Sequence, residues 1–283
     1  MKQLVGTRTS VLIRAKYAED GEVAAAKNYF DRVVHQRAAV PLGTVIARYY
    51  ALPEYVELEN DLRIGADATL LNTYAQHRYV ADIRNWYPDF VDVTPRTWCD
   101  ITDYLCGADP GPVVLKGTTN SRRQQWHTHM YAANKDAARA VWLRLLDDPL
   151  VAEQGVVVRE FEEFVTYEPA YISCPVTQEY RFFILDGEVL TSGYYWAQAY
   201  GPELRLAHPE VDQPPVDWVQ QIIAPRLRDR IRFAVADVAR HVDGRWRLVE
   251  LNDGQQAGLS CCSADTLYKE LAARLCNNIA DGS

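Results

Sequence analysis

The sequence predicts an α+β protein with α/β layering, on three observations. Short apolar runs alternate with helical patterns along most of the chain. An Asp186-Gly187 pair sits between two apolar stretches within residues 179–190, the short-range signature of a β-hairpin. A Gly, Asp and Pro cluster at 107–112 separates two segments of this kind. It divides the chain into an N-terminal α/β domain, 1–108, and a second domain, 109–283.

The elements follow in order. Residues 10–13 and 43–48 read as strands and 22–36 as a helix. The stretch 72–86 begins on Asn72 and carries Tyr79, Val80 and Ile83 at helical spacing, with Pro88 ending it. After the cluster comes a short strand, 113–117, then a polar loop, 118–125, then a helix over 134–146 that Asp147, Asp148 and Pro149 stop. Residues 155–161 read as a buried strand because Val156, Val157 and Val158 stand together. The polar, proline-bearing 201–218 reads as a loop and 224–241 as a helix. The turn Asp243-Gly244 then leads into a strand, 246–252, and a last helix, 264–277, closes the fold.

Composition limits what the chain can do. It has 30 Lys+Arg against 38 Asp+Glu, a formal charge of −8. That balance argues against a nucleic-acid partner, since phosphate coating needs concentrated cations. No apolar run reaches the roughly 18 residues of a membrane span. The stretch 4–13 is short and broken by Arg8, so it reads as a strand and not a signal peptide. Cys99, Cys106, Cys174, Cys261, Cys262 and Cys276 form no CxxC pair and lack histidines at zinc spacing, which fits reduced thiols in a cytoplasm. Cys261 and Cys262 read as small apolar fillers or, alternatively, as a redox pair.

The nucleotide and hydrolase signatures GxxxxGK[ST], GxGxxG, HExxH and GxSxG are absent. What remains is charge placed on apolar strands. Lys116 ends the run Val113-Val-Leu, where a buried ammonium is costly unless an anion such as phosphate neutralises it or the side chain snorkels out. Glu250 and Asn252 stand two apart and share a strand face, and Asp237 lies in another apolar run. Three such oxygen donors suit Mg²⁺, and surface charges or ion pairs are the alternative. Arg181 shares a face with Glu179 and Phe183, where its fork would hold a triphosphate, an oxyanion or a structural salt bridge.

In this order the motifs resemble the ATP-grasp superfamily, specifically a poorly characterised phage and actinobacterial branch, over nearly the whole chain. The resemblance implies an ATP-grasp fold. Its N-terminal pre-ATP-grasp domain (1–108) would precede a lysine-strand and lid subdomain (109–160) and a metal-binding subdomain (161–283). Lys116 looks like the lysine that touches the α- and β-phosphates, and 118–125, with Ser121, Arg122 and Arg123, like the phosphate lid. Arg159, Glu160, Phe161 and Glu162 resemble the hinge whose backbone reads adenine, with Glu163 or Glu168 reaching the ribose. Arg181 would face phosphate, and Asp237, Glu250 and Asn252 fall on the metal triad. Residues 49–59 and the Gln76-His77-Arg78 helix resemble the preceding domain. Two departures stand out: Val235 replaces the arginine of many amide-forming members, and His77, Arg78 and Arg84 are the nearest basic candidates for a second phosphate lysine.

The implied activity is an ATP- and Mg²⁺-dependent ligase that joins a carboxylate to an amine through an acyl phosphate, releasing ADP and phosphate. Lys116, Arg181 and Arg122 would be its catalytic residues. Its substrates would be small-molecule carboxylates and amines or a peptide, and a homodimer is compatible with the sequence. Residues 194–196 and the loop 253–259 would line the acceptor side. A kinase, favoured by Val235, and a non-catalytic nucleotide- or peptide-binding module are the rival readings.

Overall fold

The computed structural model describes residues 9–49, 54–108, 111–171 and 174–276. Strands β1 (Thr9–Ile13), β2 (Val33–Val34), β3 (Gly43–Arg48) and β4 (Ala68–Leu70) form a parallel sheet in the order β2-β1-β3-β4. Covered on both faces, it can be apolar throughout, and Val11, Leu12, Ile13, Val45 and Ile46 are fully buried. Helix α1 (Glu22–Tyr29) is shorter than the 22–36 expected, because Phe30 is extended and Val33 and Val34 are recruited to pair with β1. Helix α2 (Tyr55–Ala66) packs Tyr55, Leu58 and Leu62 on the sheet. Residues 50–53 of the expected 49–59 motif, like the start of the 4–13 strand, lie outside the described residues.

The helix expected over 72–86 is broken into α3 (Tyr74–Ala81) and α4 (Ile83–Trp86). Thr73 and Gln76 form a capping box on the first, while Asp82 is extended and accepts the Arg84 amide at 3.0 Å to cap the second. The middle layer comprises β5 (Thr97–Trp98), α5 (Ile101–Cys106), β6 (Val113–Gly117), β7 (Tyr131–Ala132), α6 (Lys135–Leu146) and β8 (Val156–Glu160). Its sheet is antiparallel in the order β5-β8-β6-β7. Asn134 caps α6, which buries Ala138, Val141 and Leu145 against the same core as Trp98 and Tyr104. β5 and α5 precede the 107–112 cluster yet belong to this layer, so the layer starts ahead of the cluster; residues 109–110 lie outside the described ones.

The third layer begins with the ribbon β9 (Thr166–Tyr171) and β10 (Cys174–Thr177), then β11 (Glu179–Leu185) and β12 (Glu188–Tyr194). Asp186 and Gly187, at φ 49° and 81°, make the left-handed turn that a two-residue hairpin demands. Helices α7 (Pro202–Ala207), α8 (Val216–Trp218) and α9 (Ala224–Leu227) lead to β13 (Phe233–Arg240), β14 (Trp246–Asp253) and α10 (Ala264–Cys276). Two expectations fail here. The 201–218 loop contains helical turns, two of them started by Pro202 and Pro209. The 224–241 helix is helical only to Leu227, and 233–240 is the central strand of an antiparallel sheet ordered β12-β11-β13-β14. A run buried from Phe233 to Ala239 shows neither helical nor strand periodicity, so its neighbours decide.

This sheet has two apolar faces. Tyr180, Phe182, Ile184, Ala236 and Leu251 meet Trp86, Phe90, Ile223 and Leu227. Phe183, Phe233 and Val235 meet Val11 and Ile46 of the N-terminal sheet, Phe30 at the end of α1 and Leu267 of α10. Asn72 fastens the two sheets: its amide donates to Phe233 O at 2.7 Å and Asp253 Oδ1 at 2.6 Å, and its oxygen accepts the Phe233 amide at 2.9 Å. Truncation would strand buried groups that cost about 1–3 kcal/mol each. Asn72→Ala should therefore lose at least about 2 kcal/mol of stability in urea denaturation, whereas a change within about 0.5 kcal/mol would remove Asn72 from the contacts that hold the layers together.

Candidate functional site

Three strands carry one row of charge. Arg181 on β11 lies opposite Asp237 on β13, which lies opposite Glu250 on β14, and Val235 lies opposite Asn252. The row survives in an apolar sheet because each charge has a partner. Arg181 Nε and Nη2 each donate to an Asp237 oxygen at 2.8 Å, and Nη1 donates to Gly258 O at 2.8 Å. Lys116 reaches across from β6 to pair with Glu250. Lys116, Arg181 and Asp237 are only 7%, 8% and 1% exposed.

The electrostatics follow from burial against pairing. Burial pushes Glu250 up, but the Lys116 ammonium, together with Arg123 and Arg181, more than reverses this and holds the carboxyl at about 2. For Asp237 burial outweighs the Arg181 contact, so its value is raised. Glu179, two residues before Arg181 and 5% exposed, is pushed up to about 7 by burial; Arg123 opposes that shift and the Asp237 charge adds to it. Its one neutral contact is the Thr177 hydroxyl, donating at 3.1 Å.

A cavity of about 310 Å³ opens beside the row. Lys116, Glu179 and Glu250 line it together with hinge residues 159–163 and apolar walls that include Val114, Met130, Phe161 and Val249. A wider cavity of about 890 Å³ lies under the 118–125 loop and beside Tyr195 and Gln198. Ser121, Arg123, Cys174 and Trp196 line both.

The structure brings most of the expected residues together and redirects several. Arg122 turns to Asp148, its Nε at 2.6 Å from Oδ2, while Arg123 bonds the Tyr195 hydroxyl and lies 4.9 Å and 5.1 Å from the Tyr195 and Trp196 ring centres. Arg159 is a bolt: it donates to Val249 O and Thr94 Oγ1, both at 2.8 Å, tying β8 to β14. At the hinge, the Glu160 amide donates to Arg96 O and the Phe161 amide to Pro112 O, and the Glu162 carboxylate pairs with Arg247. Glu163 lines the smaller cavity. Glu168 pairs in register with Val176 on β9, and its side chain is outside the described residues. His77 faces Asp253, Nδ1 to Oδ2 at 3.0 Å, and stacks on Tyr55. Burial raises the thiols of Cys261 and Cys262, keeping them protonated.

Among the described residues no three His, Cys, Asp or Glu side chains gather as a metal-holding group. The set on the row is two carboxylates, Asp237 and Glu250, with the Asn252 amide one pleat farther along β14. These are hard oxygen donors, the buried Asp237 and the partly buried Glu250 each already facing a cation, and that chemistry fits Mg²⁺. Sequence reasoning missed Glu179 and underrated Arg123. The alternation Glu179-x-Arg181 was the available signal for the first. Nothing in the Arg122-Arg123 pair tells which turns inward. No helix among the described residues is long and apolar enough to cross a membrane.

Comparison with known proteins agrees with this geometry. A family model described as "ATP-grasp domain, R2K clade family 3" matches residues 105–271. No curated protein matches the chain. Among solved structures, the RimK domain protein ATP-grasp from Sphaerobacter thermophilus is 17% identical, with a TM-score of 0.55, over 95% of this chain and 100% of that one. D-cycloserine synthetase DcsG is 13% identical, with a TM-score of 0.60, over 94% and 99%. The ATP-grasp ligase PsnB, complexed with minimal precursor, is 11% identical, with a TM-score of 0.55, over 95% and 99%. At such identities the likeness establishes the fold.

Glu179 gives the site a measurable pH signature. Its folded value, about 7, exceeds the ordinary 4.5, so the folded state binds the extra proton. Stability should then fall as pH rises from about 4.5 to 7 and level off above, with a span of roughly 3 kcal/mol. Glu179→Gln should abolish that slope in urea unfolding followed against pH. A slope identical in wild type and variant would mean that Glu179 titrates normally.

Proposed function

The chain belongs to R2K clade family 3 of the ATP-grasp domains, and from that premise we propose an ATP- and Mg²⁺-dependent ligase that activates a carboxylate and joins it to an amine. The observation that carries this reading is one apolar cavity shared by the hinge, Lys116 and the Glu250 end of the charge row. An adenine against residues 159–163 would direct its phosphates toward Lys116. Sheet membership supports a division in which the second unit starts before β5, ahead of residue 109.

Bound ATP supplies the phosphoryl group, and Mg²⁺ the charge that neutralises it in transfer. The protein's own residues do the rest. The hinge backbone beyond Phe161 reads the base, and Glu179 and Glu163 offer carboxylates to the ribose hydroxyls. Lys116 exchanges Glu250 for phosphate oxygens, which frees Glu250 to join Asp237 and Asn252 as oxygen ligands. Arg181 stays on Asp237 and opposes the rise that burial imposes on that carboxyl, so its role is positioning. The 118–125 loop covers the terminal phosphate and excludes water, which would hydrolyse an acyl phosphate. Val235 is fully buried among apolar side chains. β13 therefore offers no cation there, which favours phosphotransfer to an acceptor as the second reading.

The test is incubation with ATP, Mg²⁺ and mixed amino acids, peptides and other metabolites, followed by nucleotide chromatography and mass spectrometry. The expected products are ADP, phosphate and a new amide. AMP would overturn the chemistry, and ADP with a phosphorylated acceptor but no free phosphate would replace it with the kinase. Glu250→Gln should abolish turnover while weakening ATP binding less. Lys116→Ala should cut ATP affinity by roughly 10- to 100-fold in calorimetry, the worth of one charge-assisted contact. Unchanged affinity in a folded Lys116→Ala protein would leave Lys116 as no more than the partner of Glu250.

A further inference from the structure

Among the described residues, Lys116, Arg122, Arg123 and Arg159 line the two cavities, and three of them are committed. Lys116 holds Glu250, Arg122 is paired with Asp148, and Arg159 is bolted to Val249 O and Thr94 Oγ1. Arg123 differs. Its hydrogen bond goes to a neutral hydroxyl, that of Tyr195, and its guanidinium rests over the Tyr195 and Trp196 rings. Glu179 and Glu250 act on it through space, so it sits at the Lys116 end of the smaller cavity. It also lines the larger one, so it stands where the two meet.

That junction is where the outermost phosphoryl group of a nucleotide would emerge if its base lay on the hinge and its inner phosphates on Lys116. A guanidinium parked on a hydroxyl and two aromatic faces can leave them without breaking a hydrogen bond to a carboxylate. A phosphate with two free oxygens offers its fork a stronger, bidentate partner. We propose that Arg123 is the residue that reads the terminal phosphoryl group: it leaves Tyr195 for the γ-phosphate, draws the 118–125 loop down with it, and carries the charge that develops as that group moves into the larger cavity. The proposal rests on the nucleotide reading above and adds to it the group that separates triphosphate from diphosphate. Arg122, its chain neighbour, stays tied to Asp148.

The experiment is calorimetry of wild type, Arg123→Ala, Arg123→Lys and Tyr195→Phe with two probes, Mg·ADP and the non-hydrolysable Mg·AMP-PNP, with thermal melting as the folding check. Wild type should prefer AMP-PNP. Arg123→Ala should lose roughly 10- to 100-fold in AMP-PNP affinity and change by less than about two-fold toward ADP. Arg123→Lys should recover part of the loss, since it keeps the charge but not the fork. Tyr195→Phe should keep the preference for AMP-PNP, because it removes only the resting contact. Equal weakening of both probes by Arg123→Ala would make Arg123 a pocket support and overturn the proposal, and so would no change toward either, or a wild type without preference. A wild type that binds neither nucleotide would bring down the nucleotide site itself, a result separable from the others because ADP affinity is measured in every variant.

Discussion

A buried charge is costly unless an opposite charge or hydrogen-bond partners meet it, and the paired row Lys116–Glu250 and Asp237–Arg181 is where that constraint organises the molecule. The two pairs differ in reach. Arg181 and Asp237 are cross-strand neighbours, so the sheet alone brings them together. Lys116 comes from a different sheet, and its contact with Glu250 exists only because β6 and β14 face one another across the cavity. Removing one partner of a buried pair strands the other at a cost of about 3–5 kcal/mol, more than most single contacts contribute. The row therefore sets the distance between the layers as well as the chemistry between them.

The N-terminal layer serves the same end from behind. The loop 253–259 that follows β14 has little regular structure, yet its backbone is held on several sides. Arg48, fully buried and paired with Glu22 at 2.8 Å, donates to Gly254 O. The Tyr49 amide donates to Gln255 O, and Arg181 donates to Gly258 O. Gly254 cannot carry a side chain, since a Cβ would lie 2.7 Å from the Phe233 ring. The buried ion pair Arg48–Glu22 sits far from the cavities and acts as a scaffold for this loop. That is why the first sheet cannot be treated as a separate appendage.

The alternation of elements, the 186–187 hairpin and the strand bearing Lys116 were legible in the sequence because their signals are local: turn residues and short β-branched runs. That Glu250 and Asn252 share a face of their strand was equally legible, since a strand's two-residue repeat fixes which side chains lie together. What escaped was decided by distant contacts. Residues 233–240 carry an apolar run with no period, and only flanking strands on both sides make it β. The 107–112 cluster looks like a border, but β5 pairs across it with β8. Arg122 and Arg123 are adjacent and chemically identical, and their fates diverge because Asp148 and Tyr195 lie on opposite sides of the loop.

The pairing also bears on how such a site could bind a polyanion without first standing open as a cluster of bare charges. Each acid of the row faces a cation, Lys116 for Glu250 and Arg181 for Asp237. In the proposed reaction Lys116 would pass from Glu250 to phosphate oxygens and Glu250 would help hold the magnesium, so neither side chain would be left without an opposite charge. Asp237 keeps Arg181 throughout, which fixes the geometry while its neighbour changes partners. Glu179 is the exception: its close partner is the neutral Thr177 hydroxyl, and burial, opposed by Arg123, pushes its carboxyl up to about 7. A carboxyl poised there can meet a hydroxyl either as donor or as acceptor, in a cavity that in the proposed reaction must also take in phosphate.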